Sequence, residues 1–440
     1  MSRKRFAQDE SLEGEVVDLS ADGRGVVRHP DGKTVFVSDA LTGELVRYRR
    51  RKRQRRFDEA ELLEVLRPSP DRVEPGCAHF GQCGGCALQH LAPQAQLLSK
   101  EKELREAFRR LGGGLEPERW LPALSGPSWG YRRRARLACK SVQGKGRVLV
   151  GFRERNGRYV ADIQSCPVLD ERIGRLLMPL SALLGGLSCP DQIPQIEVSA
   201  GDADVVLLLR HLAPLTADDG LALAHFGAEQ GVHWYLQSGG PDTVRPLEQA
   251  ITLHYALPDY AVRLDFGPTD FIQVNAELNR LMVRQALELL DAPAGAQVLE
   301  LFAGLGNFTL PMARQGLQVT AVEGADVLVA KGRANAEANG LQVSYQVADL
   351  FALAGDEPWL EKTYDYALFD PPRSGAAEVI PHILRRPPRR IVYVSCHPGS
   401  LARDAGTLVQ GGYTLSAAGV MDMFPQTGHV ESMACFDWAA

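Results

Sequence analysis

The sequence predicts an α/β protein in three parts: a small all-β unit over residues 1–69, an α+β segment over 70–265, and a doubly wound, mostly parallel sheet over 266–440. Three observations carry this. A chain of 440 residues, 45% of them hydrophobic, is too long for one ordinary core and too apolar for disorder. Before residue 70 the apolar runs are short and separated by Gly-containing turns. After residue 266 strand-like and helix-like runs alternate, the rhythm of a parallel sheet covered on both faces.

In the first part, LEGEVVDLS, GVVRH, KTVFVSD, ELVRYRRRK and FDEAELLEVL are strand candidates, and Asp22-Gly23 and Asp31-Gly32 are hairpin turns. Five short strands in so little chain fit a barrel of the oligonucleotide-binding (OB-like) type. The net charge of −5 hides a local cluster, because residues 47–56, RYRRRKRQRR, carry eight basic side chains. Such a run is a footprint for nucleic acid, with a solvated basic loop as the plainer reading. Pro68, Pro70 and Pro75 then form a linker. The opening MSRKRFAQDE has no apolar stretch behind its basic residues, and LLMPLSALLGGL is too short to span a bilayer. A cytoplasmic protein without a membrane partner is therefore expected. No obligate protein partner is evident, so a monomer is expected.

The second part holds an amphipathic helix over 93–111, stopped by Gly112-Gly113-Gly114. YRRRARLAC, GRVLVGFRE, IPQIEVSA and ADVVLLLRHL read as strands, and ERIGRLLMPLSALL as one helix. Eight cysteines without a secretory signal point to metal binding or catalysis rather than disulfides. Cys77, Cys83 and Cys86 form a compact loop whose glycines, Gly81, Gly84 and Gly85, let three thiolates converge. Cys139, Cys166, Cys189 and His90 are all available as a fourth ligand, and by spacing zinc and a [4Fe–4S] cluster fit equally.

In the third part, ELFAGLGNF (300–308) follows a strand and opens a helix. Gly304 and Gly306 let the backbone turn tightly against a ligand, and Glu323, at the end of the next strand, suits the two ribose hydroxyls of a nucleoside. Asp349, after SYQVA, suits an adenine edge. NAD and S-adenosylmethionine both fit, with a modest tilt to the latter because GLGNFT lacks the third small residue of the dinucleotide fingerprint.

Two more strands, YDYALF and RIVYV, deliver Asp370-Pro371-Pro372-Arg373 and Ser395-Cys396-His397-Pro398 to the carboxyl edge of the sheet, where ligands of such sheets bind. The prolines hold Asp370 rigidly. Cys396 stands at the start of the next helix, whose N-terminus is expected to lower its thiol pKa and make it a nucleophile. An inert buried cysteine is the plainer alternative. Spacing does not bring Glu431, in His429-Val430-Glu431, to this site.

FIQVN (271–275), ELFAGLGNF, AVEG, FDPPR, YVSCHP and HVES occur in the order seen in the RNA uracil-C5 methyltransferases, and the chain resembles that family over essentially its whole length. The resemblance implies a Rossmann-like S-adenosylmethionine-dependent methyltransferase domain behind a TRAM barrel and a cluster-bearing central domain. The 93–111 helix is expected to pack on the catalytic domain despite its early position. It implies S-adenosyl-L-methionine held by Gln273, Phe302, Asn307, Glu323, Asp349 and Asp370, with Cys396 as nucleophile and Glu431 as the base that removes the carbon 5 proton. Cytosine-C5 relatives carry a second cysteine in the loop equivalent to Asp370–Arg373, and this chain has Arg373 and no cysteine there, which argues for uracil. The barrel together with the cysteine loop implies 23S ribosomal RNA as partner, at a uridine of the 1939 class. The resemblance also implies a [4Fe–4S] cluster on Cys77, Cys83, Cys86 and Cys166, leaving Cys139, Cys189 and Cys435 structural. A dehydrogenase would leave the thiol and the basic run unexplained. A non-catalytic RNA-binding or iron–sulfur sensor protein would not need both Cys396 and Glu431.

Overall fold

The computed structural model describes residues 11–155 and 157–439. The opening decapeptide, in which no leader is expected, lies outside the described residues. Two compact units emerge: Met1–Lys100 with Phe152–Ile163 and Phe424–His429, and Glu101–Gly151 with Gln164–Met423 and Val430–Ala440.

The first unit begins with β1 (Ser11–Leu19), β2 (Gly25–Arg28), β3 (Thr34–Ser38), β4 (Leu45–Arg53) and β5 (Phe57–Arg67), which close into a barrel of order β1-β2-β3-β5-β4. The alternation of the sequence builds it. Val16, Val27, Val35, Val37, Val46 and Tyr48 are buried together, while most of their neighbours along each strand are more exposed. The two Asp-Gly turns join β1 to β2 and β2 to β3 as antiparallel hairpins, and β3 closes on β5 in parallel. Two carboxylates lie fully buried and paired: Asp58 meets Lys33 at 3.0 Å, and Glu44 meets Arg72 at 2.6 Å. A buried charge needs such a partner, so these pairs hold the barrel's ends to particular neighbours.

Helix α1 (Pro93–Leu111) contributes residues up to Lys100 to the first unit and the rest to the second. Proline at its first position costs no hydrogen bond. Leu104 and Phe108, one turn apart, are buried among Leu299, Phe369 and Leu401 of the second unit's core.

The second unit contains three sheets. After β6 (Arg119–Trp120), β7 (Arg134–Val142) and β8 (Arg147–Gly151) come α2 (Glu171–Gly174), α3 (Leu177–Gly186), β9 (Gln195–Ala200), β10 (Val205–Arg210), α4 (Ala217–Gln230), β11 (His233–Gln237) and β12 (Arg245–Pro246). Their six-stranded sheet has the order β12-β11-β10-β9-β7-β8. The single helix expected over 171–184 is broken in two, because the Gly174 carbonyl accepts the Cys166 amide at 3.1 Å instead of continuing the helical ladder. A hairpin of β13 (Leu253–Leu257) and β14 (Val262–Phe266) follows.

The third sheet is the large one. Its elements are α5 (Ala276–Leu290), β15 (Gln297–Leu301), α6 (Thr309–Arg314), β16 (Gln318–Glu323), α7 (Asp326–Ala338), β17 (Ser344–Val347), β18 (Tyr366–Phe369), α8 (Ile380–Ile383), β19 (Arg390–Ser395), α9 (Pro398–Gln410), β20 (Tyr413–Met421) and β21 (Glu431–Trp438). The order is β17-β16-β15-β18-β19-β21-β20-β6. Strands β15 to β19 run parallel, and all except the edge strand β17 are almost wholly buried, as the middle of a sheet covered on both faces requires. β21 is antiparallel to both β19 and β20, and the short β6 pairs in parallel with β20 at the edge. The expected Rossmann-like sheet, OB-like barrel and α+β middle are all present. No described helix is long and apolar enough to cross a membrane.

Candidate active site

Because β15 to β19 are parallel, their carboxyl ends lie along one edge, and neighbouring strands stand about 4.8 Å apart. Across that edge the chain presents Asp349 two residues beyond β17, Glu323 at the end of β16, Phe302 beyond β15, Asp370 beyond β18 and Cys396 beyond β19. Glu431 opens the antiparallel β21 and so lies at the same edge. Six of the residues singled out from sequence are thus brought to one row.

The left part of the row forms a cradle. Phe302 and Gly304 both take positive φ, 65° and 54°. The Glu323 carboxylate accepts the Gly304 amide and the Ala325 amide, each at 3.1 Å, which fixes it while leaving lone pairs for ribose hydroxyls. Gly306 sits at φ 102°, and a Cβ there would come within 2.8 Å of the Tyr345 hydroxyl, so glycine is required. Asn307 is engaged by the protein itself: its Oδ1 accepts from Tyr255 Oη at 2.9 Å and Asn279 Nδ2 at 2.8 Å, and its Nδ2 donates to Asn279 Oδ1 at 2.9 Å. Tyr255 and Asn279 were not singled out from the sequence. Asn279 is one turn beyond the helix cap Asn275, a detectable spacing, whereas nothing marked Tyr255. Asp349 is exposed, and its Oδ1 accepts the Phe351 amide at 2.9 Å. The Phe351 ring meets that of Phe302 at 5.7 Å. Gln273 is half-buried in the segment leading to α5, beside the 70% exposed Phe271.

The right part of the row holds titratable groups. Burial pushes the Asp370 carboxyl up to about 7. Glu300, buried beneath the glycine turn, is pushed up to about 8, again by burial first. The ladder between β19 and β21 ends with Ser395 opposite Ser432, so Cys396 and Glu431 are the next residues on facing strands. The Cys396 thiol is pushed up to about 11, by burial and then by the charges of Glu431 and Asp370, while Arg373 acts in the opposite direction. This corrects the expectation of a lowered thiol pKa. Cys396 precedes the helix instead of starting it: His397 is the cap of α9, its Nδ1 accepting the Ser400 amide at 3.1 Å.

The first unit carries the two other features singled out. On the basic run, Arg47 pairs with Glu13 and Glu64, Arg49 with Glu61, and Lys52 with Glu59. Most of the acids are supplied by β5. Among the described residues Arg53, Arg55 and Arg56, all exposed, have no ion pair. In the cysteine loop the Gly85 amide donates to Cys83 Sγ at 3.4 Å, and Cys83 bridges Glu154 through the backbone. Cys77, Cys83 and Cys86 belong to the first unit and Cys166 to the second. Among the described residues no cysteine forms a disulfide and no three His, Cys, Asp or Glu side chains are gathered as a metal site.

Residues 251–437 match the family model described as tRNA (uracil-5-)-methyltransferase. The chain is 52% identical over 438 residues to a protein of Alkalilimnicola ehrlichii named 23S rRNA (uracil(1939)-C(5))-methyltransferase RlmD, covering 99% of this chain and 98% of that one. A protein of Xylella fastidiosa with the same name is 50% identical, covering 99% of this chain and all of the other. The fold is shared with Pyrococcus abyssi tRNA (uracil-54, C5)-methyltransferase, solved in complex with S-adenosyl-L-homocysteine: TM-score 0.74, 24% identity, 97% of this chain and 100% of that one.

Proposed function

The chain belongs to the RNA uracil-C5 methyltransferases, among the 23S rRNA enzymes named RlmD, and from that premise we propose that it methylates carbon 5 of a uridine of the 1939 class in 23S ribosomal RNA through a covalent bond to Cys396. One observation carries the covalent reading: a thiol and a carboxylate stand opposite each other just beyond the Ser395–Ser432 pair, beside Asp370.

Carbon 5 of uracil is a poor nucleophile. Addition of the Cys396 thiolate to carbon 6 makes carbon 5 an enolate carbon that can accept a methyl group. S-adenosylmethionine, when bound, supplies that methyl group. Glu431 then removes the carbon 5 proton, the electron pair re-forms the 5,6 double bond, and the thiolate leaves. Glu323 and Asp349 are assigned to the ribose and adenine ends of the cofactor. Phe302, Gln273 and Asp370 are assigned to the same cofactor site, beside the glycine turn. Asn307 acts by fixing that turn through Asn279 and Tyr255. The high intrinsic pKa of Cys396 means that the resting thiol is protonated, so the thiolate forms only as substrate and Arg373 offset the carboxylates.

The donor set alone supports an iron–sulfur cluster: three thiols lie on one loop and an amide points at one sulfur, although among the described residues the thiols are not gathered as a metal site. Cys77, Cys83, Cys86 and Cys166 would hold a [4Fe–4S] cluster, which would take no part in the methylation steps. The barrel, with its unpaired arginines, is assigned to RNA contact as a TRAM domain. A ribosomal RNA substrate implies a cytoplasmic enzyme, and we assign no obligate protein partner.

The test is direct. The protein is incubated with methyl-labelled S-adenosylmethionine and unmodified 23S rRNA, and the labelled nucleotide is mapped. A single 5-methyluridine is expected. Label on cytidine, or at many sites, overturns the assignment.

A further inference from the structure

We propose that Arg403 and Asp404 are positioning residues, clamping the 374–376 backbone and with it Arg373 at the sheet edge beside Cys396. The inference rests on reading Cys396 as the nucleophile.

Asp404, in α9, is fully buried although it is a carboxylate. Its Oδ2 accepts the Ala376 amide at 2.7 Å and the Tyr393 hydroxyl at 2.6 Å. Its Oδ1 receives Arg403 Nε at 2.8 Å, and Arg403 Nη2 donates onward to the Ser374 carbonyl at 2.7 Å. Between these two anchored residues Gly375 takes φ 85°, and any Cβ there would run into Asp404 Oδ2. Backbone on both sides of Gly375 is therefore held by one ion pair.

The clamp's other contacts lead to the nucleophile. Tyr393 lies in β19, three residues before Cys396, and Asp404 lies in the helix that leaves it. The loop that follows β18 is thus tied to the elements on both sides of Cys396. β18 and β19 are adjacent, with Phe369 paired to Tyr393, so Arg373 and Cys396 leave the sheet side by side. Burying an ion pair is usually no more stabilising than filling the space with apolar side chains. What the pair adds is a defined path for a short exposed loop whose one long cation sits next to the thiol. Arg373 counters the carboxylates of Glu431 and Asp370 at Cys396.

The test is alkylation of Cys396 by iodoacetamide in the full-length protein, followed on its peptide by mass spectrometry over a range of pH. Arg373→Ala should slow alkylation at a fixed pH by about three- to tenfold, which corresponds to roughly half to one unit of thiol pKa. Arg403→Ala should slow it to within about twofold of that value, and Arg403→Lys should restore much of the rate. The double variant should be no slower than Arg373→Ala alone, since both act through one guanidinium. Wild-type alkylation in Arg403→Ala, or effects of the two alanines that add, overturns the proposal. Arg403→Ala leaves the fully buried Asp404 without its cation, so thermal melts are run on every variant, and Arg403→Lys, which keeps the charge, is the folded comparison. The assay uses neither RNA nor cofactor. A failure here leaves the methyltransferase reading standing, and a failure to methylate RNA leaves the alkylation result intact.

Discussion

Cys396 and Glu431 stand on facing strands one residue beyond the Ser395–Ser432 pair that ends the β19–β21 ladder. Antiparallel partners at that register put their side chains on one face of the sheet. A thiol and a carboxylate held this way repel each other as anions, which helps to push the thiol up to about 11.

The free enzyme should therefore alkylate slowly near neutrality. A group with a raised pKa stays protonated below that value, so Cys396 reactivity should climb about tenfold per pH unit and level off only near pH 11. Glu431→Gln removes one source of repulsion and should move the plateau to lower pH. A wild-type plateau at pH 8 or below would contradict the upward shift.

The barrel makes a second prediction, on RNA affinity. Exposed ion pairs contribute little to stability, but they occupy the charges of Arg47, Arg49 and Lys52. Replacing Arg53, Arg55 and Arg56 together by Ala should weaken RNA binding and flatten its salt dependence by about 0.7 units of slope for each single-strand phosphate that the protein no longer neutralises. Replacing Arg49 and Lys52 should do less. Equal effects in filter-binding titrations would mean that the pairs open on binding.

Much of this architecture was legible in the sequence. The Asp-Gly turns and five short strand-like runs marked the barrel, and strand ends marked Glu323, Asp370 and Cys396, whereas Phe302 came only from the family resemblance. What was hidden depends on register and partners. Glu431 reaches the site only because β21 inserts beside β19. The sign of the Cys396 shift was missed because the cap of α9 is His397 and because the opposing carboxylates come from other strands. The neutralisation of the basic run by Glu59, Glu61 and Glu64 depends on β5 lying beside β4. Tyr255 reaches Asn307 from a hairpin that no motif marked.

A third prediction concerns the cysteine loop. Protein purified without oxygen should be brown and carry iron and sulfide at about four each per chain. Replacing Cys83 by Ser should remove the colour while leaving cofactor affinity unchanged. Stoichiometric zinc without iron would refute the cluster.

Gly306→Ala tests the cradle. At φ 102°, with the Tyr345 hydroxyl 2.8 Å from the new methyl, the turn must distort. Strain of this kind costs about 1–3 kcal/mol, and if the turn relaxes to relieve it, S-adenosylmethionine affinity should fall about tenfold or more in calorimetric titrations. Wild-type affinity would show that the turn does not touch the cofactor.

The last prediction separates the two facing residues. In the proposed order, thiolate addition and methyl transfer both precede removal of the carbon 5 proton, so Glu431 acts only at the end. Glu431→Gln keeps size and hydrogen bonding but removes the base, and loss of a positioned base costs about 10²–10⁴-fold in rate. The methylated RNA should then remain bonded to Cys396. On a denaturing gel with labelled methyl donor, a protein–RNA band should accumulate in Glu431→Gln, stay faint in wild type and disappear when Cys396→Ala is added. Cys396→Ala alone should bind the cofactor but transfer no methyl group. Normal turnover of Glu431→Gln without a band would assign the base to another group. An inactive Glu431→Gln without a band would mean that Glu431 acts before the covalent step, by placing the uridine against the thiol.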